Sequence, residues 1–262
     1  MKLDDVKKLH QKKYRTRFGY YLVEGEHLVL ELHKAINGTV LAQKVTLYVS
    51  EQYMREEYTQ TFEGMNIDFK VLVLTQKQMA QISDTKTPQG IVACVPLPNV
   101  SSDQKPQVPV SDGNGGSFKN ERCIYLYQVQ DPGNLGTIIR SLAWFGRFRL
   151  ILSPDSVDPF NPKVVRASMG AIFHLPIELD VSLDDLSTRF ERFAYLDLTG
   201  SAVNSDAFAK YECYLFGNEA RGVPHNALNM FNADAYTISG SGSIESLNLG
   251  SAVSMCAYQL SV

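Results

Sequence analysis

The chain has 262 residues, 44% hydrophobic and 20% charged, which is ordinary for a globular protein and leaves ample material for one large buried core or two small ones. Its formal net charge of −3 excludes a generic polyanion binder, so any nucleic-acid contact has to come from a local basic surface. Four cysteines, Cys94, Cys123, Cys213 and Cys256, stand far apart with no C-x-x-C pair, which argues against a zinc site or a disulfide framework and suits a reducing cytoplasm.

The opening Met1-Lys2-Leu3-Asp4-Asp5 lacks the basic-then-apolar order of a signal peptide, and no apolar run approaches the roughly 20 residues of a membrane span. Lys7, Lys8, Lys12, Lys13, Arg15 and Arg17 then form a basic run with no acid between Val6 and Tyr21, and Tyr14 and Phe18 lie among them. Such a stretch is either a solvated helix face with two core aromatics or a surface that stacks on bases. Leu28, Leu32 and Ala35-Ile36 recur at helical spacing. Residues 44–49, 69–74 and 91–95 are β-branched-rich and predict strands. Residues 99–120 are rich in Ser, Pro, Gly and Asn with few large apolar side chains, and predict a flexible linker. It divides the chain into a piece of residues 1–98 and one of residues 121–262.

The second piece alternates again. Residues 123–127 predict a buried strand, 135–145 a helix, 148–152 a strand, 193–198 and 212–216 two more, and 246–260 a closing helix. This order predicts a parallel sheet covered on both faces, whose ligands bind beyond the carboxyl ends of the strands.

Three segments follow such strands. In Asp131-Pro132-Gly133-Asn134-Leu135-Gly136-Thr137-Ile138-Ile139-Arg140, the Pro-Gly-Asn set marks a turn with Asn134 as N-cap, and Arg140 falls in an otherwise apolar helix. A guanidinium there needs an anion or carbonyl partner, supplied either by a ligand or by a surface salt bridge. In Phe216-Gly217-Asn218-Glu219-Ala220-Arg221-Gly222, Gly217 permits close backbone approach and Glu219 is a candidate acid or acceptor; an ordinary strand-to-helix loop reads the same way. From Ile238 to Ala252 a small-residue loop leads into a helix start with free N–H groups, and it is neither a Walker A motif nor a G-x-G-x-x-G fingerprint. The five histidines show no metal spacing. Trp144 and Phe145 are expected in the core beneath the 135–145 helix.

Together the three segments resemble the signature motifs of the SpoU (TrmH-like) class of RNA 2′-O-methyltransferases: Asn134 to Arg140 running on to Phe145-Gly146, Gly217 to Gly222, and Ser246-Leu247-Asn248 with the helix behind it. In the first piece, Arg17-Phe18-Gly19-Tyr20-Tyr21-Leu22-Val23-Glu24-Gly25 and Asp84-Thr85-Lys86-Thr87-Pro88-Gln89-Gly90 are similar to the opening and close of that class's substrate-binding domain. The resemblance covers nearly the whole chain except the linker. It implies an α/β fold with a C-terminal trefoil-knotted parallel-sheet methyltransferase domain and a smaller N-terminal α/β domain resembling RNA-binding ribosomal proteins. It implies a homodimer through the C-terminal domain, S-adenosylmethionine as cofactor with S-adenosylhomocysteine as product, no metal, no membrane, and RNA as partner, ribosomal RNA favoured over transfer RNA.

By the same resemblance Gly217, Ile238 and Leu247 line the cofactor site. Asn134, Arg140, Glu219, Ser246 and Asn248 form the catalytic cluster, with Arg140 as hydroxyl activator or as phosphate and oxyanion clamp. Lys12, Lys13, Arg15 and Arg17 are expected to face RNA. The sequence departs from the class at Ile238-Ser239, where Ile-Pro is usual, and in the all-small, polar Ser239–Ser243 loop. A non-catalytic RNA-binding or ribosome-assembly protein with the same fold is the alternative that these departures favour.

Overall fold

The structure is a computed structural model that describes residues 1–63, 65–98 and 121–262. The expected linker at 99–120 lies outside the described residues. In chain order the elements are α1 (Leu3–Lys8), α2 (Lys12–Phe18), β1 (Tyr20–Glu24), α3 (Glu26–Ile36), β2 (Thr46–Ser50), α4 (Glu51–Glu56), α5 (Tyr58–Thr61), β3 (Lys70–Leu74), α6 (Gln76–Ile82), β4 (Ile91–Pro96), β5 (Arg122–Leu126), α7 (Pro132–Phe145), β6 (Phe148–Leu152), α8 (Pro162–Ala167), β7 (Ile177–Glu178), α9 (Leu183–Arg189), β8 (Phe193–Ala202), β9 (Cys213–Phe216), α10 (His225–Leu228), β10 (Ala233–Thr237) and α11 (Leu249–Gln259).

The chain forms two compact units. One is Met1–Asn99 together with Asp158–Phe173, and the other is Val100–Val157 together with His174–Val262. The first holds a four-stranded sheet of order β1-β4-β2-β3, with β4 antiparallel to both neighbours and β2 parallel to β3. Leu9, Leu22, Met79, Ile82 and Val92 fill its core. Sequence reasoning assigned 158–173 to the second piece; in the fold this stretch completes the first unit. Phe160, Ile172 and Phe173 are buried, and Phe160 packs its ring 4.9 Å from that of Tyr21. Arg15 Nε donates to Asp158 at 2.9 Å while Arg15 Nη1 donates to the Leu9 carbonyl at 2.8 Å. Arg166 donates to Asp84 at 2.8 Å. None of these partnerships has a local signature in the sequence.

The second unit is a six-stranded sheet of order β10-β8-β9-β5-β6-β7, every pair parallel. β9 is buried along its whole length, as befits a central strand covered on both faces. The Tyr125 hydroxyl, also buried, is satisfied by the Val181 carbonyl at 2.9 Å. From β5 the chain runs outward through β6 and β7, then returns to build β8, β9 and β10 on the other side of β5. That reversal opens a crevice at the carboxyl edge, where open α/β sheets bind ligands.

Two helices cover the edge of this crevice. α7 starts at Asp131, not at Asn134 as the turn signal suggested. Asp131 accepts from the Asn134 N–H at 2.7 Å, and Pro132 takes the first helical turn, where a missing N–H costs nothing. α11 starts later than expected, with Asn248 as N-cap accepting from the Ser251 N–H at 3.2 Å. The two helices run parallel in matched register. A Cβ on Gly250 would sit 3.4 Å from the Thr137 methyl, Ser141 and Ser254 share a 2.7 Å hydrogen bond, and Phe145 and Tyr258 place their rings 6.0 Å apart. Trp144 corrects an expectation: it is 84% exposed rather than in the core, because α7 buries the face of Leu135, Ile138, Ile139 and Leu142.

Candidate active site

The loops after β5 and β9 are built to hold each other. Gly217 must be glycine because a Cβ there would meet the Gly222 carbonyl carbon at 2.2 Å. The close approach is thus to the loop's own return, which Asn218 and Gly222 seal with reciprocal backbone bonds of 2.9 and 2.8 Å. Buried Asn218 accepts from the Ala220 and Arg221 N–H groups at 3.0 Å each, and donates to the Gln128 carbonyl at 2.6 Å. This fixes Glu219 at the tip. Its carboxylate accepts from the Gln130 N–H at 3.1 Å, the Asp131 N–H at 3.1 Å and Asn134 Nδ2 at 3.3 Å.

Asn134 in turn accepts from Asn248 Nδ2 at 2.8 Å. A continuous bonded run therefore joins Asn248 before α11, Asn134 in α7 and Glu219 after β9, and all three sequence blocks meet at one edge. Arg140 lies further along α7. It is exposed and makes no hydrogen bond or ion pair with any described residue. Ser246 and Leu247 are exposed, Ile238 is half-buried, and the whole stretch 239–248 is open to solvent. Within that stretch, among the described residues, the side-chain hydrogen bonds are those of a Ser241–Ser243 pair at 3.0 Å and of Asn248.

Sequence reasoning missed Gln128. It adopts a left-handed conformation at φ 52°, unusual for a residue with a long side chain. Its N–H donates to Ser153 Oγ at 2.7 Å, its carbonyl receives Asn218, and its side-chain oxygen accepts from Arg221 at 2.9 Å. It is the hub between the first two blocks, and its only signal was its place directly after a strand.

In the first unit Lys12, Lys13 and Arg17 are exposed on α2. Tyr14 and Phe18, one helical turn apart, stack with centroids 5.8 Å apart and planes at 24°. Lys13 sits over Tyr14 at 5.9 Å and Arg17 over Phe18 at 5.7 Å. Arg15 is the exception and a correction to the expected RNA-facing set: it is 2% exposed, with its guanidinium engaged by Asp158 and Leu9. Among the described residues no cluster of His, Cys, Asp and Glu is placed to hold a metal, and no helix is long and apolar enough to cross a membrane.

Three post-strand segments bonded together at the carboxyl edge of a parallel sheet stand where open α/β folds bind their ligands. Comparison with known proteins gives the family. The SpoU rRNA Methylase family matches residues 121–258, and the MRM3-like substrate binding domain matches residues 2–93. The 23S rRNA (guanosine(2553)-2′-O)-methyltransferase RlmP of Bacillus subtilis is 30% identical over 99% of this chain and 95% of its own. A structure described as a putative RNA methyltransferase of the TrmH family, from Porphyromonas gingivalis, superposes with a TM-score of 0.77 at 26% identity over 98% of this chain and 96% of that one. The AdoMet-bound rRNA methyltransferase of Sinorhizobium meliloti does so with a TM-score of 0.72 at 27% identity, over 98% and 93%. The chain belongs to the SpoU rRNA methylase family and is a methyltransferase.

Proposed function

We propose that this enzyme transfers the methyl group of S-adenosylmethionine to a ribose 2′-hydroxyl of ribosomal RNA. The observation that carries the reading is the bonded run Asn248–Asn134–Glu219, with Arg140 further along the same helix and without a partner among the described residues. The names of the relatives support the substrate and the cofactor.

The residues at the edge fit the cofactor. Half-buried Ile238 and exposed Leu247 and Ile244 offer apolar surface beside free backbone groups, as an adenine and a thioether-like chain require. When bound, S-adenosylmethionine supplies an electrophilic methyl carbon on a sulfonium. The protein's part is to hold a ribose hydroxyl in line with that carbon, and such positioning is worth several kcal/mol. Glu219 is not the base: backbone and side-chain donors already converge on its carboxylate, so it positions Asn134 and the 130–131 backbone. Arg140 offers N–H donors and no acceptor site, so it is a clamp and not a base. It holds the phosphate next to the target ribose and stabilises charge growing on the oxygen, and the hydroxyl proton leaves to solvent water at this exposed edge. Ser246, with an exposed hydroxyl, faces the same substrate.

On the first unit Lys12, Lys13 and Arg17 meet RNA phosphates, while Tyr14 and Phe18 meet exposed bases. The enzyme works as a homodimer through the C-terminal unit, which we read as knotted in the manner of its family. The support for dimerisation is a set of exposed apolar side chains on and just after α7 and α11: Trp144, Met255, Tyr258 and Val262. Trp144 lies one turn from Arg140, so the covered face would border the site. A cytoplasmic location fits the four buried free cysteines; burial pushes the Cys94, Cys123 and Cys256 thiols up to about 12.

The test is transfer of labelled methyl to ribosomal RNA, with the modified atom mapped by nuclease digestion and mass spectrometry. A 2′-O-methylated nucleotide is expected from the native enzyme. Arg140→Ala should lower turnover by about a hundredfold or more while S-adenosylhomocysteine still binds. Methylation on a base, or full turnover by Arg140→Ala, would overturn the reading.

A further inference from the structure

The strand between the second and third blocks carries a feature that the family motifs do not include. β8 lies between β9 and β10, the strands whose carboxyl ends lead into the second and third blocks. Along β10, Ala235 pairs with Tyr195 and the next residue, Tyr236, pairs with Ser201. Residues 196–200 of β8 therefore loop out at the carboxyl edge with no counterpart on β10. The return needs glycine: a Cβ on Gly200 would lie 2.5 Å from the Ala235 carbonyl oxygen. The loop leans on the end of β10, where Thr237 Oγ1 donates to the Leu198 carbonyl at 3.1 Å, one residue before Ile238.

Asp197 sits in this bulge with its side chain only 16% exposed. Oδ1 accepts from the Leu198 N–H at 2.6 Å, and Oδ2 lies 3.2 Å from His225 Nε2. His225 opens α10, directly after the glycine-sealed loop of β9, and its ring stands edge-on to Tyr195 at 6.4 Å. A carboxylate has about four lone-pair positions, and these two neighbours use two. A largely desolvated carboxylate with acceptor capacity left over, at the carboxyl edge beside the end of β10, calls for a donor from the ligand. Leu198 beside it is a large apolar side chain turned out to solvent, as are Ile244 and Leu247 of the loop after β10.

We propose that Asp197 is a cofactor-binding residue. Its carboxylate accepts a hydrogen bond from a donor group of the adenosyl cofactor, either the ribose hydroxyls or the α-ammonium, and Leu198 packs on the nucleoside. His225 is a positioning residue that holds Asp197 in the acceptor orientation. This inference rests on the reading of the carboxyl edge as the S-adenosylmethionine site.

Calorimetric titration of the full chain tests it, using S-adenosylhomocysteine and 5′-methylthioadenosine, which has the ribose but no ammonium. Asp197→Asn keeps the shape and the acceptor for the Leu198 N–H, so the bulge is retained. It should weaken S-adenosylhomocysteine at least tenfold. An equal loss for methylthioadenosine assigns the ribose hydroxyls, and an unchanged methylthioadenosine affinity assigns the ammonium. His225→Ala should weaken binding several-fold, and His225→Gln, which restores a donor, should recover most of it. Unchanged affinity of Asp197→Asn for both ligands would overturn the proposal and leave the site reading standing; failure of the native chain to bind either ligand would overturn both. Amide exchange of the native protein gives a reading that needs no variant: residues 196–200 should be protected by S-adenosylhomocysteine, and no change there would also count the proposal out.

Discussion

α2 in the first unit and α7 in the second each carry an arginine that sequence reasoning marked for an anion, and the fold treats the two in opposite ways. On α2, Arg15 turns inward to Asp158 and the Leu9 carbonyl, while Lys12, Lys13 and Arg17 stay in solvent, the last two over an aromatic pair. On α7, the apolar face turns inward, Asn134 binds the neighbouring loops, and Arg140 has no partner among the described residues. Arg15 stands in a basic run and Arg140 alone in an apolar helix; what decides their roles is whether a described residue provides the counter-charge. Where it does, the arginine serves the fold, and where it does not, the charge is free for a ligand.

The comparison can be broken at three places. Arg15→Met should have the largest effect, because it leaves Asp158 buried without its cation. Loss of about 3–5 kcal/mol is expected in urea unfolding of the first unit, and RNA affinity per folded molecule should hold. A stable variant that binds RNA poorly would show that Arg15 serves RNA after all. Trp144→Glu, beside Arg140, should raise the dimer dissociation constant by about a hundredfold, near 2.7 kcal/mol, as read by sedimentation. A variant that stays dimeric would mean that α7's outer face is covered by something else. Replacing Lys12, Lys13 and Arg17 together with serine should weaken RNA binding by about tenfold and reduce the slope of log affinity against log salt by roughly 2, with thermal stability unchanged. A salt response equal to the native one would return α2 to the status of a solvated face.

The parallel sheet was legible because β5, β6 and β9 read as short, continuous apolar runs, the pattern of strands buried on both faces. β10 escaped notice because Ala233-Asp234-Ala235-Tyr236-Thr237 is an edge strand, only partly buried, and reads as polar. The polar cluster was legible as three blocks, and the structure joins Asn134, Glu219 and Asn248 directly. The start of α7 was misread because Asp131 and Asn134 are both good caps, and Pro132 decides between them through its fixed φ. Trp144 was misplaced because its apolar character outweighed its position on the helix, one turn from Arg140. Arg15 could not have been read correctly at all, since its partner lies 143 residues away.

That separation has a consequence for how the protein is made. The first unit is encoded first, yet it lacks its last piece until the ribosome has passed Phe173. At about 5–20 residues per second, the chain between Asn99 and Phe173 takes roughly 4–15 s to synthesise. Throughout that interval the nascent domain carries an unpaired Arg15, an uncovered Tyr21 and an open edge on α3. Slowing translation over this stretch lengthens the exposure, and a chaperone bound to the N-terminal half would have to let go only when the strand-to-strand connection from the other half arrives.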